Sequence, residues 1–263
     1  MIASPRVSAP PRDLRAAWRV AVWLTAAAAL VAAWEVWARM TPASEYILPA
    51  PSRVLPALIA VLGDRAFWGH FRVTMVEVAL GVLIAFWAGL FVGLSVGTRA
   101  YLREVVDPIL LGLFSAPKIL FLPLFMLAFG IDVLQKTLFG AFHGFFVVAV
   151  NVIGGLAQVD RELVTASRSM GATRGQIWRH ILVPSIIPLL LAGLRLAVGL
   201  TFLGVLVAEL AVARAGLGFV LNRAADSGNV PRLFALILLI GATAVMVNGA
   251  LSAYQQRLIR WHG

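Results

Sequence analysis

Long apolar segments separated by short polar connections dominate this sequence. Six of these segments are close to the ~20 residues that a helix needs to cross the hydrocarbon core of a bilayer. They run from about Ala16 to Ala38, Val73 to Val96, Ile109 to Phe129, Val133 to Leu156, Ile186 to Leu210 and Leu233 to Tyr254. The pattern therefore predicts an all-α membrane protein with about six transmembrane helices.

The first apolar segment has tryptophans near both ends, which is typical of a spanning helix with interfacial anchors. A cleavable signal peptide is the alternative, but the apolar length is too great for one and further spans follow. The connection to the second span is interrupted by prolines, and its stretch from Arg53 to Leu62 is long enough only for a short interfacial helix. We therefore predict an N-terminal tail over residues 1–15 and a single transmembrane domain over residues 16–263.

Composition agrees with a protein surrounded by lipid. The chain is 61% hydrophobic and 13% charged, about half the charged share of a soluble domain at roughly 25%. The sequence contains no cysteine, which excludes disulfides, thiolate metal sites and cysteine nucleophiles. The remaining histidines and carboxylates form no cluster at metal-ligand spacing, so no metal site is predicted.

The formal net charge of +10 is better explained by topology than by nucleic-acid binding, because the arginines lie in the short connections between apolar segments. More of them lie on the inside when both termini are placed in the cytoplasm. The densest cluster falls between the fourth and fifth spans and contains Arg161, Arg168, Arg174 and Arg179. We therefore expect both termini to be cytoplasmic.

One face of the second span carries a small residue at every fourth position, which lets a neighbouring helix approach closely. These residues are Gly81, Ala85, Gly89, Gly93 and Gly97. The stretch around Ser95 also matches the G-x-S-x-G pattern of serine hydrolases, but that motif works on a strand-to-helix turn. We interpret the stripe as a helix-packing surface and predict no catalytic residue; an intramembrane hydrolase built on Ser95 and His143 is a competing hypothesis.

A polar segment from Asp160 to Pro184 separates the fourth and fifth spans. Asp160 is placed to cap a first short helix, and Gly171 is placed to end it. Thr173 and Gln176 have the spacing of a capping box that begins a second short helix, which Pro184 ends. Two short helices joined at a glycine predict a rigid elbow rather than a flexible loop.

This elbow resembles the cytoplasmic signature of the permease subunits of binding-protein-dependent ABC importers, which reads E-A-A, three residues, Gly, nine residues and I-x-L-P. The matching residues here are Thr165-Ala166-Ser167, Gly171 and Ile181-Leu182-Val183-Pro184. The spacing is complete, although Thr165, Ser167 and Val183 replace the usual Glu, Ala and Leu. Glu162, one helical turn before the motif, is placed to replace the missing acidic side chain.

Further motifs resemble the nitrate, sulfonate and taurine permeases of this family. They are Leu48-Pro49-Ala50-Pro51-Ser52, Ser115-Ala116-Pro117-Lys118 with Leu122-Pro123-Leu124, and Ala208-Glu209 with Gly216-Leu217-Gly218. The resemblance implies transport of a small, anionic solute such as nitrate, taurine or another sulfonate. Neutral compounds that resemble thiamine precursors also lie within its range.

The resemblance implies a permease subunit of an ATP-driven importer in the bacterial inner membrane, which is not an enzyme. Its implied partners are two ATPase subunits that bind the elbow, a periplasmic solute-binding protein, a second permease copy and membrane lipid, but no nucleic acid. The ATPase-coupling residues would be Glu162, Thr165, Ala166, Ser167, Gly171, Ile181 and Pro184. No G-x-x-x-x-G-K-[ST] loop occurs, so we expect this chain to bind no cofactor and the ATPase to use ATP and Mg²⁺. A secondary transporter or channel without an ATPase is the alternative.

Lys118 lies near the middle of the third span, where Pro117 and Pro123 predict a broken or kinked helix. An ammonium group at this depth costs ~3 kcal/mol and normally faces a cavity or a partner. Because the relatives carry small anions, we predict that Lys118 lies on the substrate path. The alternative is a structural contact with Asp107, Asp132 or a backbone carbonyl.

Overall fold

The computed structural model describes residues 12–41 and 47–259, and every regular element in these ranges is helical. The α-helices are α1 (Arg12–Met40), α2 (Pro51–Gly63), α3 (Arg65–Gly97), α4 (Ala100–Ser115), α5 (Leu122–Phe129), α6 (Val133–Ala157), α7 (Arg161–Ser169), α8 (Arg174–Ile177), α9 (Val183–Val212), α10 (Leu217–Asp226) and α11 (Val230–Ile259). A 3-10 turn at Lys118–Phe121 precedes α5, and a π-helical turn at Trp178–Leu182 precedes α9. Residues 1–11 of the predicted tail over residues 1–15 lie outside the described residues.

Within the described ranges, five helical segments are long and apolar enough to cross a membrane. They are Ala21–Met40, Arg65–Gly97, Val133–Ala157, Arg174–Val212 and Val230–Gln255. A sixth span is formed by the pair Ala100–Ser115 and Lys118–Phe129, which is bent by 90° at its break. The prediction of six spans is confirmed when this bent pair counts as one. The short helix predicted from Arg53 to Leu62 is also present, as α2.

The break in the third span is confirmed, and its cause is local. Helix α4 ends at Ser115, and Ala116 has an extended backbone with φ −65° and ψ 145°. A residue before proline is pushed out of the helical region, and Pro117 has no N–H to continue the hydrogen-bond ladder. The chain therefore leaves the helix before Lys118 and re-enters one in a new direction.

Helix α6 is the centre of the bundle and packs along both α3 and α9. Its side chains Phe139, Val148 and Val152 are fully buried. Helix α11 packs against α2, and α10 packs between α9 and α11. Helix α1 lies at the edge, where Glu35 accepts hydrogen bonds from the backbone N–H of Ser52 at 3.0 Å and from its hydroxyl at 2.7 Å.

The stripe of small residues on α3 faces α6 and α9. A Cβ added to Gly89 would lie 2.7 Å from the Cβ of Val148, and one added to Gly93 would lie 2.6 Å from the Cβ of Val152. A Cβ added to Gly81 would lie 2.9 Å from Thr201 Cγ2, and one added to Gly97 would lie 2.7 Å from Leu156 Cδ1. Ala85 is fully buried. At these glycines the neighbouring helices are therefore so close that a larger side chain has no room between them.

Replacing Gly93 with leucine is expected to force α3 away from α6. Overpacking of a tight contact costs about 1–3 kcal/mol or more, so the thermal midpoint and the yield of monodisperse protein in detergent should both fall. Gly241→Leu on α11 is the matched control, because a Cβ there meets nothing within 4 Å. Equal yield and midpoint for the Gly93 and Gly241 variants would show that the stripe is not a packing surface.

The prediction that Pro184 ends a second short helix is wrong. Helix α8, the π-helical turn and α9 form one continuous helical segment from Arg174 to Val212. Pro184 lies in the first turn of α9. The π-helical turn changes the hydrogen-bond register just before the proline, which accommodates both the ring and the missing N–H. The second arm of the elbow is therefore the start of a membrane span.

Candidate functional site

The elbow between the fourth and fifth spans is held by local hydrogen bonds at each end of its turn. Asp160 Oδ1 accepts a hydrogen bond from the backbone N–H of Glu162 at 2.7 Å and caps α7. Gly171 has a φ of +86°, which glycine adopts without strain. The Thr173 N–H donates to Gln176 Oε1 at 2.8 Å, and the Gln176 N–H donates to Thr173 Oγ1 at 3.3 Å. The predicted N-cap, glycine turn and capping box are confirmed.

The exposed surface of the elbow includes two large apolar side chains. Leu163 is 52% exposed and Met170 is 81% exposed, whereas Ile177 on the inner side is buried. Of the predicted coupling residues, the exposed ones are Glu162, Thr165, Ala166, Gly171 and Pro184, and the half-buried ones are Ser167 and Ile181. Exposed apolar side chains on a rigid protrusion are typical of a protein-binding surface.

Lys118 lies at the break of the bent span and is half-buried. Its ammonium donates to the carbonyl oxygen of Phe114 at 2.5 Å and lies 4.7 Å from the centre of the Phe114 ring and 5.6 Å from that of Phe146. Among the residues that the structure describes, neither Asp107 nor Asp132 forms an ion pair with it. Of the structural partners considered from sequence, the backbone carbonyl is the one in contact.

A buried polar cluster joins α3, α6, α9 and the start of α10. Lys136 Nζ lies 2.6 Å from Glu77 Oε1, and both side chains are almost fully buried. The Thr74 hydroxyl donates to Glu209 Oε1 at 2.6 Å, and the Gly218 N–H donates to Glu209 Oε2 at 2.7 Å. Charges at membrane depth need such partners. Lys136 lies near the start of the predicted fourth span, and the sequence does not anticipate that its side chain is buried against Glu77.

The Gly216-Leu217-Gly218 motif forms the turn into α10 around this cluster. The Leu217 N–H donates to Thr74 Oγ1 at 2.8 Å, and the Gly216 N–H donates to His70 Nδ1 at 3.2 Å. Gly216 has a φ of +118°, and a Cβ at this position would collide with the Glu209 carboxylate. The sequence pattern does not predict α10. The structure ties this helix to α3 and α9 through backbone N–H groups at its first turn.

The structure does not bring Ser95 and His143 together as a catalytic pair. Gly93 packs at the level of Val152, which is nine residues beyond His143 on α6, or about 14 Å along the helix axis. His143 Nδ1 lies 2.9 Å from the carbonyl oxygen of Phe139 in its own helix. Across the described part of the chain, no group of three or more His, Asp and Glu side chains could hold a metal ion.

Comparison with known proteins agrees with the motifs of the elbow. The family model described as "Binding-protein-dependent transport system inner membrane component" matches residues 81–260. The taurine transport system permease protein TauC of Escherichia coli (strain K12) is 30% identical over 241 residues, which cover 90% of this chain and 88% of TauC. The formylaminopyrimidine transport permease protein ThiX of Halalkalibacterium halodurans is 29% identical over 232 residues, covering 88% of this chain and 92% of ThiX.

Solved structures show the same fold. The MetNI methionine ABC transporter in an inward-facing conformation matches with a TM-score of 0.60 at 23% identity, covering 77% of this chain and 96% of the matched chain. An amino acid ABC transporter matches with a TM-score of 0.58 at 19% identity, covering 78% of this chain and 94% of the other. Because the family model covers most of the sequence and TauC aligns along nearly all of it, this chain belongs to the binding-protein-dependent transport system inner membrane components, the permease subunits of ABC importers.

Proposed function

We propose that this permease imports taurine or another small sulfonate anion, and that its elbow is the surface to which the ATPase subunit binds. The observation that carries the coupling role is the capped, exposed elbow whose second arm continues into a membrane span. The substrate class is supported by the similarity to TauC along 90% of the chain. Nitrate and formylaminopyrimidine are the other substrates to be compared with it.

As a family member, the chain is a multi-pass inner-membrane protein that works with an ATPase and a solute-binding protein. In our proposal two identical permease copies assemble with two ATPase subunits. Both termini and the elbow face the cytoplasm, where ATP is available. The ATPase uses ATP and Mg²⁺, and the permease itself binds no cofactor and catalyses no reaction.

The two ends of α9 suggest how movement of the elbow crosses the membrane. At one end α9 continues α8 and the π-helical turn without a break. At the other end the Glu209 carboxylate of α9 accepts hydrogen bonds from the Thr74 hydroxyl of α3 and from the Gly218 N–H. When the ATPase pair closes on ATP, a rigid elbow displaces one end of α9, and the buried cluster passes this displacement to α10 at the opposite end. A flexible loop would absorb the movement instead.

Reconstitution tests the function and the substrate class together. Vesicles containing the permease, its ATPase and its binding protein are supplied with labelled taurine, nitrate or formylaminopyrimidine, with and without ATP. We expect ATP-dependent accumulation of taurine and little of the other two. Accumulation driven by an ion gradient without ATP would favour a secondary transporter. ATP-dependent accumulation of formylaminopyrimidine alone would overturn the sulfonate assignment and leave the importer in place.

Orientation is tested with a reporter that is active only in the cytoplasm. A fusion after Arg168, in the elbow, should be active, because positively charged connections stay on the cytoplasmic side. A fusion after Ala50, in the connection that follows α1, should be silent. The reverse pattern would place the elbow outside the cell and remove its proposed contact with the ATPase.

Replacing Lys118 with methionine tests the substrate path, because methionine keeps the length of the stem and removes the charge. If the ammonium attracts the anion, taurine transport should fall about tenfold, the effect of losing one charge-assisted hydrogen bond, while the ATPase stays bound. Lys118→Arg keeps the charge and should retain more transport. Unchanged transport would exclude the substrate role. Loss of assembly would instead indicate a structural role at the break, through the Phe114 carbonyl contact.

A further inference from the structure

A cavity of about 590 Å³ lies on the inner side of the elbow. Its walls come from the end of α3, the first turn of α4, the end of α6 and both arms of the elbow. The volume is within the range of small-ligand sites, roughly 300–1,000 Å³. Of the predicted coupling residues Thr165 also lines this space, but the proposed coupling mechanism assigns no role to the space itself.

The charges around the cavity all have one sign. Arg103 of α4, Arg168 of α7 and Arg174 of α8 line it, and no aspartate or glutamate is among its described lining residues. Within the described ranges, none of these three arginines forms an ion pair with a carboxylate. Three like charges around one space repel each other, and the attraction of each charge to an anion between them would offset this repulsion. Guanidinium groups also bind the oxygens of phosphate and similar anions in pairs.

The N-terminus of α4 adds a weaker attraction for an anion. Its N-cap residue, Arg99, makes no side-chain capping hydrogen bond, and Ala100 in the first turn lines the cavity. Uncapped N–H groups at a helix start favour an anion. The arginines carry the argument, and the helix end reinforces it.

We propose that this cavity binds a phosphate or sulfonate oxyanion, which joins Arg103 of α4 to Arg168 and Arg174 of the elbow. The cavity lies where α3 and α6 end and the fifth span begins, and the ends of spanning helices lie close to the headgroup region of a bilayer. The oxyanion therefore has two available sources, the headgroup of an acidic phospholipid and a free anion in solution. Any effect of the bound anion on coupling rests on the proposed role of the elbow, whereas binding itself does not.

The test uses the whole permease–ATPase complex in nanodiscs. One set of nanodiscs contains phosphatidylcholine with or without phosphatidylglycerol, and a second set contains phosphatidylcholine alone with increasing inorganic sulfate. The thermal midpoint of the complex reports binding. We expect an increase for the wild type and none for the Arg103→Gln/Arg168→Gln/Arg174→Gln variant. Arg103→Gln alone should need about tenfold more ligand, equivalent to about 1.4 kcal/mol.

Arg179→Gln is the matched control, because Arg179 is exposed on the π-helical turn and does not line the cavity. This variant should respond like the wild type. A response to phosphatidylglycerol alone identifies the headgroup as the source, and a response to sulfate alone identifies a soluble anion; both support the site. If the triple variant does not assemble, Arg103→Gln and Arg168→Gln are compared singly.

Two results would overturn the proposal. The first is an equal response of the wild type and the arginine variants. The second is no response of the wild type to either ligand, as expected if carboxylates of the ATPase occupy the arginines. Failure of the proposed function has a different signature: the complex would show the anion-dependent midpoint but would not accumulate taurine.

Discussion

Valine at position 171 is expected to abolish the stimulation of ATP hydrolysis by the binding protein while the chain still inserts into the membrane. Gly171 has a φ of +86°, and a β-branched residue in this region costs about 1–3 kcal/mol. A Cβ at this position meets nothing within 4 Å, so the effect comes from the backbone and not from a collision. The elbow should therefore open and lose its fit to the ATPase. ATPase activity of the complex in vesicles, with and without binding protein, measures this.

Gly175→Val is the control for this experiment. Gly175 lies in α8 of the same elbow, its φ is not in the positive region, and a Cβ there also meets nothing within 4 Å. This variant should retain stimulation and copurify with the ATPase. Gly171→Asn should lie between the two, because asparagine tolerates positive φ better than valine. A Gly171→Val complex that is stimulated to the wild-type level would remove the main support for the coupling role of the elbow.

The second large effect is expected from Lys136→Met. This change leaves the Glu77 carboxylate buried without the ammonium that lies 2.6 Å from it, and removing one partner of a buried ion pair typically costs about 3–5 kcal/mol. We expect a strongly lowered thermal midpoint in detergent and in nanodiscs. The Glu77→Gln/Lys136→Met double variant should recover much of this loss, because no unpaired charge remains.

The exposed pair at the edge of the bundle provides the comparison. Arg39 Nε lies 2.6 Å from Glu35 Oε1, but the arginine side chain is 70% exposed. Exposed ion pairs contribute about 0–1 kcal/mol to the free energy of unfolding. Arg39→Met should therefore change the midpoint little. A double variant as unstable as Lys136→Met alone would contradict the ion-pair explanation and assign the effect of Lys136 to another contact.

The features that could be predicted from the sequence are local ones. The spans follow from apolar length, the break before Lys118 follows from Pro117, and the elbow follows from two caps and a glycine within a few residues of each other. Each of these depends on backbone geometry or on hydrogen bonds between near neighbours in sequence. The prediction that Pro184 ends a helix failed because a π-helical turn lets the helix continue through the proline. No residue pattern in the sequence predicts this turn.

By itself, the sequence determined that this is a six-span permease with a capped elbow, and that its charges at membrane depth require partners. The tertiary structure decided which partners those are. Thr74 and Glu209 are 135 residues apart in sequence and 2.6 Å apart in space, and Lys136 reaches Glu77 because α3 and α6 pack closely along the small-residue stripe. The cavity with its three arginines likewise forms where four separate parts of the chain meet. Caps and breaks are set by neighbouring residues, whereas such pairings depend on which helices pack together. The small-residue stripe marks a packing surface within one segment, but it does not identify the helix that packs on it.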